Sequence, residues 1–195
     1  MNISYSLLAS NHLDLMNDLN DKKSLFDSVH FDLIDENYCG GLGLSVITLE
    51  QLCDVSNFDI NVHVLMKKPK DITKRISGKK IKNVNYHVEF LEVNEFKSLY
   101  LQHAAIGVAI KLDSNIKILE DFIPFASSVL LLCMNPSLEP SSEKLDPVKR
   151  VKEFKKLFQN YNGKIFVDGG VNNENIQDLK NLGVDTAVVG SSYIR

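Results

Sequence analysis

Cysteine is scarce in this chain. Cys39, Cys53 and Cys133 are an odd number, lie far apart and show no Cys-x-x-Cys spacing, which argues against a disulfide framework and a thiolate zinc site. That usage fits a reducing cytoplasm. Glycine and proline are also few, 10 and 5 of 195 residues, and with 44% hydrophobic and 24% charged residues this excludes collagen-like, low-complexity and wholly disordered chains. A basic excess is missing: the formal charge is -3 and the pI about 5.9, so no net positive field recommends nucleic acid as a partner. Long hydrophobic runs are missing too, since none reaches the roughly 20 apolar residues of a membrane helix. The opening MNISYSLLASNHLDLMNDLND has no basic segment leading into a long apolar one, so the chain reads as cytosolic, without membrane attachment and complete at its N-terminus. There is no length for a second ordinary domain, and residues 1–195 are expected to share one core.

What is present is a rhythm. Short runs rich in Val, Ile, Leu and Phe recur at 3–8, 28–34, 59–66, 83–89, 105–110, 127–133, 164–168 and 185–190, separated by longer amphipathic or polar stretches. Strands alternating with helices in this way make a parallel sheet. Eight runs in 195 residues leave about 24 residues per unit, which suits a compact (β/α)8 barrel of the α/β class.

Helix signals fill the gaps. Asp146 and Pro147 open a segment to residue 160 that carries Val151, Phe154, Leu157 and Phe158 on one face, and Asn172 precedes a segment with Ile176, Leu179 and Leu182 that stops at Gly183. Further helices are predicted at 11–20, 45–54, 94–103 and 115–122, with a short one around 70–77. The barrel therefore lacks most or all of its last helix, because only five residues follow the eighth strand. Either the chain is truncated, or a neighbouring subunit covers the seam beside strands one and eight, which predicts a homo-oligomer.

One segment departs from the charge balance: between Lys67 and Lys82 there are eight basic residues and one acid, Asp71. A solvated helix face is the plain reading; an anion-attracting rim and a contact with an acidic neighbour are the alternatives.

The residues suited to chemistry sit at strand ends. Side chains alternate along a strand, so His30 and Asp32 share one face of SVHFDLI while Phe31 and Leu33 share the other. An imidazole and a carboxylate facing a barrel axis are costly unless they meet a metal, each other or a substrate. His63 in the third strand and Asp168 at the end of the seventh each have an ordinary explanation, as a satisfied core histidine and as part of an Asp-Gly-Gly turn. Taken together, the three sites, His30 with Asp32, His63, and Asp168, lie near the C-terminal ends of separate strands, the face on which (β/α)8 enzymes carry catalysis. Two His nitrogens and two Asp oxygens form a mixed set suited to one divalent transition metal, Zn, Fe, Mn or Co.

Six motifs in order give the chain a resemblance to the ribulose-phosphate 3-epimerase family over nearly its whole length. They are Ile3 to Leu8 for I-x-x-S-L-L, His30 to Asp35 for H-x-D-x-x-D, Val62 to Met66 with one extra residue before the methionine, His87-Val88-Glu89 for H-x-E, Val167 to Ile176 for V-D-G-G-[IV]-N-x-E-N-[IV], and Val188 to Ser191 for V-x-G-S. The resemblance implies a metal on His30, Asp32, His63 and Asp168, and a phosphorylated ketose whose C3 proton is removed and returned by Asp32 and Asp168. It further implies that backbone amides of Gly169, Gly170, Gly190 and Ser191 grip the phosphate, that Ser6 and His63 contact the substrate, and that His87 and Glu89 form a supporting pair.

The match has gaps. Asn135 to Pro140 stands where the family carries a glycine-rich lid, P-G-F-G-G-Q. Asp35-Glu36 replaces Asp-Gly, Asn11 replaces an aspartate, Ile34 a methionine, and Met134 is shifted by two positions. The ligand residues survive while the substrate cover has changed. The first expectation is conversion of D-ribulose 5-phosphate to D-xylulose 5-phosphate. The alternatives are a 3-epimerase of another ketose phosphate, such as a hexulose 6-phosphate, and a non-catalytic phosphosugar binder. A related decarboxylase is disfavoured because the second strand has no Asp-x-Lys-x-x-Asp pattern.

Overall fold

Strands built from uninterrupted Val, Ile and Leu need cover on both faces, and a closed parallel barrel supplies it. The computed structural model describes residues 1–41, 43–100, 105–136, 144–191 and 193–194. Its strands are β1 Asn2–Ser6, β2 Ser28–Ile34, β3 Ile60–Leu65, β4 Asn83–His87, β5 Ile106–Ile110, β6 Ser128–Leu132, β7 Lys164–Asp168 and β8 Thr186–Val189. They pair in parallel in chain order, and β1 closes the barrel on β8. All eight sequence runs are strands. The first and fourth stop early because Leu7–Ala9 and Val88–Phe90 wind into single 3-10 turns.

The outward residues of the strands, among them Tyr5, Phe31, Val62, Tyr86, Val108, Leu131 and Val167, join helix residues such as Leu19, Leu49, Phe96, Phe154 and Leu179 in the main core. Inside the barrel a smaller apolar group, Ile34, Leu65, Ala109, Leu130, Leu132 and Phe166, fills part of the axis. Polar side chains fill the rest. Ser28 donates to Ser4, Asn61 donates to Ser28, and the Ser128 hydroxyl faces the carboxamide oxygens of Asn83 and Asn85 at 3.1 and 2.8 Å.

The helices are α1 Leu15–Lys22, α2 Glu36–Cys39, α3 Val46–Val55, α4 Lys70–Ile76, α5 Val93–Tyr100, α6 Pro147–Leu157 and α7 Ile176–Asn181. Asp146 caps α6 by accepting from the N–H groups of Val148 and Lys149. Three expectations need correction. α1 starts at Leu15, not at residue 11, because the Asn11 side chain accepts from the Leu13 N–H and holds a turn there. Residues 116–121 form a 3-10 helix, and α2 is a short helix the periodicity did not announce, capped by Asp35. Asn172 holds a turn ahead of α7, whose N-cap is Asn175.

Among the described residues no helix follows β8. The N–H groups of Tyr193 and Ile194 both bond to the Gly190 carbonyl, and Ile194 packs into the main core. Four basic residues of the segment between 67 and 82 face acids of this same chain: Lys70 with Glu95, Arg75 with Glu50, Lys79 with Asp54 and Lys82 with Asp59. Such exposed pairs contribute about 0–1 kcal/mol each and make that face a solvated one. No helix of the described residues is long and apolar enough to cross a membrane.

Candidate active site

The register of the barrel brings the inward histidines and aspartates together. β2 aligns Asp32 with His63 of β3, and β7 ends on Asp168, which the closure through β8 and β1 returns to face β2. His30 Nε2 lies 3.2 Å from Asp32 Oδ1 and 3.5 Å from Asp168 Oδ2, and His63 Nδ1 lies 3.1 and 3.4 Å from the same two oxygens. One donor atom from each of the four residues falls within 4.8 Å of all the others. Each carboxylate thus gives one oxygen to the quartet. The Asp32 Oδ2 oxygen accepts from the Ser6 hydroxyl at 3.5 Å.

The electrostatics of this cluster are mutual. Burial works to lower the His30 pKa, but the charges of Asp32 and Asp168 outweigh it and hold the imidazole up at about 10. His63 is raised as well, burial being outweighed by hydrogen bonds to Asp168 and Asp32. Burial pushes both carboxyls up, but the charge of His30 and the closeness of both imidazoles prevail, so Asp32 and Asp168 stay below the ordinary carboxylate range.

The geometry also fits a cation. Both ring nitrogens of His30 are buried and lack a directional hydrogen bond, although two carboxylate oxygens lie close to Nε2. A buried polar atom without a partner costs about 1–3 kcal/mol. Convergence of N and O donors on one point, with both His30 nitrogens left without a hydrogen bond, is what a divalent metal satisfies.

Around this centre lies a cavity of about 750 Å³ at the C-terminal end of the strands. Ser6, Asp32, Asp168, Gly169, Gly170, Gly190 and Ser191 all line it. His30 and His63 are fully buried beneath it. Gly169 and Gly170 have φ of +94° and +72°, and a Cβ on Gly169 would stand 2.5 Å from that of Met134, so only glycine lets the chain leave β7 in this way. Asn175 fixes the turn by donating to the Gly170 carbonyl at 2.8 Å. Pro136 and the start of α6 form another wall, and residues 137–140 of the expected lid lie outside the described residues, as does Ser192.

Behind His63 runs a second row of contacts. His63 Nε2 meets His87 Nε2 at 2.9 Å, His87 Nδ1 meets Glu89 at 3.1 Å, and the backbone N–H of Lys111 donates to Glu89 at 2.8 Å. Tyr38 joins this row, its hydroxyl 3.1 Å from His87 Nε2. Nothing in the sequence pointed to Tyr38, because it reaches His87 from the short helix α2 after β2 across 49 positions.

The Glu89 carboxyl is mostly buried, which raises its pKa, but hydrogen bonding and charge from His87 lower it to about 2 from an ordinary 4.5. A carboxylate depressed in the folded state stabilises the fold above its unfolded pKa and loses that contribution as the pH falls through the folded value. The window is therefore pH 4.5 down to 2, and the contribution is about 3 kcal/mol. Glu89→Gln is expected to be less stable at pH 6 and to lose less stability than the parent on acidification through that window. Urea unfolding at stepped pH measures this; parallel curves would exclude the linkage.

Comparison with known proteins adds the following. A profile of the ribulose-phosphate 3 epimerase family matches residues 2–194. The chain is 26% identical over 197 residues to the ribulose-phosphate 3-epimerase of Helicobacter pylori (strain ATCC 700392 / 26695), covering 98% of this chain and 89% of that protein. It is 25% identical over 198 residues to the one of Buchnera aphidicola subsp. Baizongia pistaciae, covering 97% and 87%. Among solved structures, KGPDC from Streptococcus mutans superimposes with a TM-score of 0.68 at 14% identity, covering 97% of this chain and 87% of that one. Phosphoribosyl anthranilate isomerase from Thermus thermophilus does so with 0.67 at 13% identity, covering 98% and 88%. These two likenesses show the barrel fold.

Proposed function

The chain belongs to the ribulose-phosphate 3-epimerase family, and we propose from that premise that it epimerises C3 of a ketose phosphate, with D-ribulose 5-phosphate and D-xylulose 5-phosphate as the pair. It is an enzyme of the isomerase class. The observation that carries the finer reading is the quartet of His30, Asp32, His63 and Asp168 at the floor of the 750 Å³ cavity.

Inversion at one carbon needs a base on one face and an acid on the other. In this reading Asp32 on β2 and Asp168 on β7, separated around the barrel by β8 and β1, divide that work. One carboxylate takes the C3 proton, the other draws a proton from solvent and gives it to the opposite face, and the first then releases its proton to solvent, so protons balance over a turnover. His30 and His63 hold the two carboxylates in place. His30, Asp32, His63 and Asp168 would hold one divalent transition metal, Zn, Fe, Mn or Co, which would supply positive charge where negative charge develops on the substrate oxygens. Ser6 orients a substrate hydroxyl, and the amides of Gly169, Gly170, Gly190 and Ser191 hold the phosphate at the rim. His87, Glu89 and Tyr38 fix the ring of His63.

Three free cysteines support a reducing cytoplasmic setting. Leu8 and Leu13, exposed beyond β1, support a homo-oligomer in which a second copy covers them. Solvent-deuterium exchange into C3 of D-ribulose 5-phosphate is the direct test. Exchange is expected with the metal-loaded protein, and loss of at least 100-fold in rate after chelation, with recovery on adding back Zn, Fe, Mn or Co. Exchange that survives chelation would exclude the metal; exchange confined to another ketose phosphate would move the substrate.

A further inference from the structure

The barrel is hollow at both ends. At the N-terminal end of the strands, opposite the site above, a cavity of about 450 Å³ opens between residues of six strands. Its floor is made of Ser28, Asn61, Asn83 and Thr186, all at most 5% exposed. Lys82, Lys164 and Lys180 stand at its mouth, against one carboxylate, Asp185. This leaves a local excess of positive charge on a chain whose formal charge is -3.

Two details indicate what such a space can hold. The Asn83 carboxamide oxygen is taken up by Ser128, and its Nδ2 is buried without a hydrogen-bond partner while the residue lines the cavity. Lys82 is paired with Asp59 and Asp185 accepts from the Ile165 N–H at 2.8 Å, but Lys164 and Lys180 make no ion pair among the described residues. Lys164 and Lys180, set against the charge of Asp185, leave the mouth net positive above a polar floor, and such a set attracts acceptors. The volume exceeds that of a single ion, since a water occupies about 30 Å³.

We propose that the N-terminal mouth of the barrel is a second anion-binding site, taking a small multivalent anion of the phosphate class, with Lys164 and Lys180 as its charged grips. Only donors face it from these residues, which selects acceptor-rich ligands. Charge of this kind is screened by salt, so binding weakens as ionic strength rises.

Titration calorimetry with inorganic pyrophosphate at low ionic strength tests this on the full chain. Lys164→Met/Lys180→Met is expected to weaken one binding component at least tenfold. Lys152→Met/Lys156→Met, which removes the same charge from α6, leaves it unchanged. Any pyrophosphate held at the catalytic end is common to all three proteins and cancels in the comparison. Equal binding by the parent and the Lys164/Lys180 variant, or equal losses in both double variants, would overturn the proposal.

Discussion

Asp168→Asn is expected to lower the epimerisation rate by about 10² to 10⁴-fold, the range spanned when a positioned acid or base loses its proton-transfer capacity. Asparagine keeps the shape of the side chain and its place at the end of β7, so the barrel folds. What it loses is the charge that holds His30 and His63 and the oxygen that can carry a proton. Steady-state turnover and deuterium incorporation at C3 fall together if Asp168 moves the proton. Metal content by elemental analysis separates the two losses. A variant that retains metal but not exchange assigns the proton to Asp168, whereas one that loses both assigns it to ligation. A rate within tenfold of the parent would remove Asp168 from the mechanism.

Gly107→Ala is the change expected to harm the fold most. Gly107 and Ala109 are the inward residues of β5, and they are small because the axis is already full beside them. A Cβ on Gly107 would stand 1.9 Å from the Ser128 hydroxyl, 2.2 Å from the Asn85 carboxamide oxygen and 2.7 Å from the Ser128 backbone oxygen. Side-chain atoms can swing aside, but the backbone oxygen belongs to β6 and moves only with the sheet. Overpacking costs about 1–3 kcal/mol, and breaking the buried Ser128 to Asn85 hydrogen bond adds about 1–3 kcal/mol. The total of roughly 2–6 kcal/mol corresponds to a fall in Tm of roughly 4–24 °C for a chain of this size. Calorimetry measures it. Adding Ser128→Ala removes the nearest clash and recovers part of the loss; a Gly107→Ala protein melting within 2 °C of the parent would show that the strands are free to part there.

These two positions illustrate what could be read ahead of the structure. The motif around Asp168 was visible, as Val-Asp-Gly-Gly at a strand end. Gly107 looked like any glycine in an apolar run, since its constraint comes from residues 22 positions before and 21 after it. The same division runs through the helices. Asp146-Pro147 announced α6 because capping is a local hydrogen bond. Residues 116–121 carried a helical pattern, and the tighter 3-10 winding was not visible in it. Tyr38 escaped notice because its partner is on another strand, and the N-terminal cavity because its lysines, at 82, 164 and 180, share no segment of chain.

The sequence by itself determined the eight strands and the face on which each side chain sits, because burial on both sides and the two-residue alternation are properties of a run of five to seven residues. It also put His30, Asp32, His63 and Asp168 at strand ends, inward. Only the tertiary structure decided that they meet. Register between β2 and β3 and closure of β8 onto β1 turn positions up to 138 residues apart into donor atoms within 4.8 Å, and no local interaction encodes that distance.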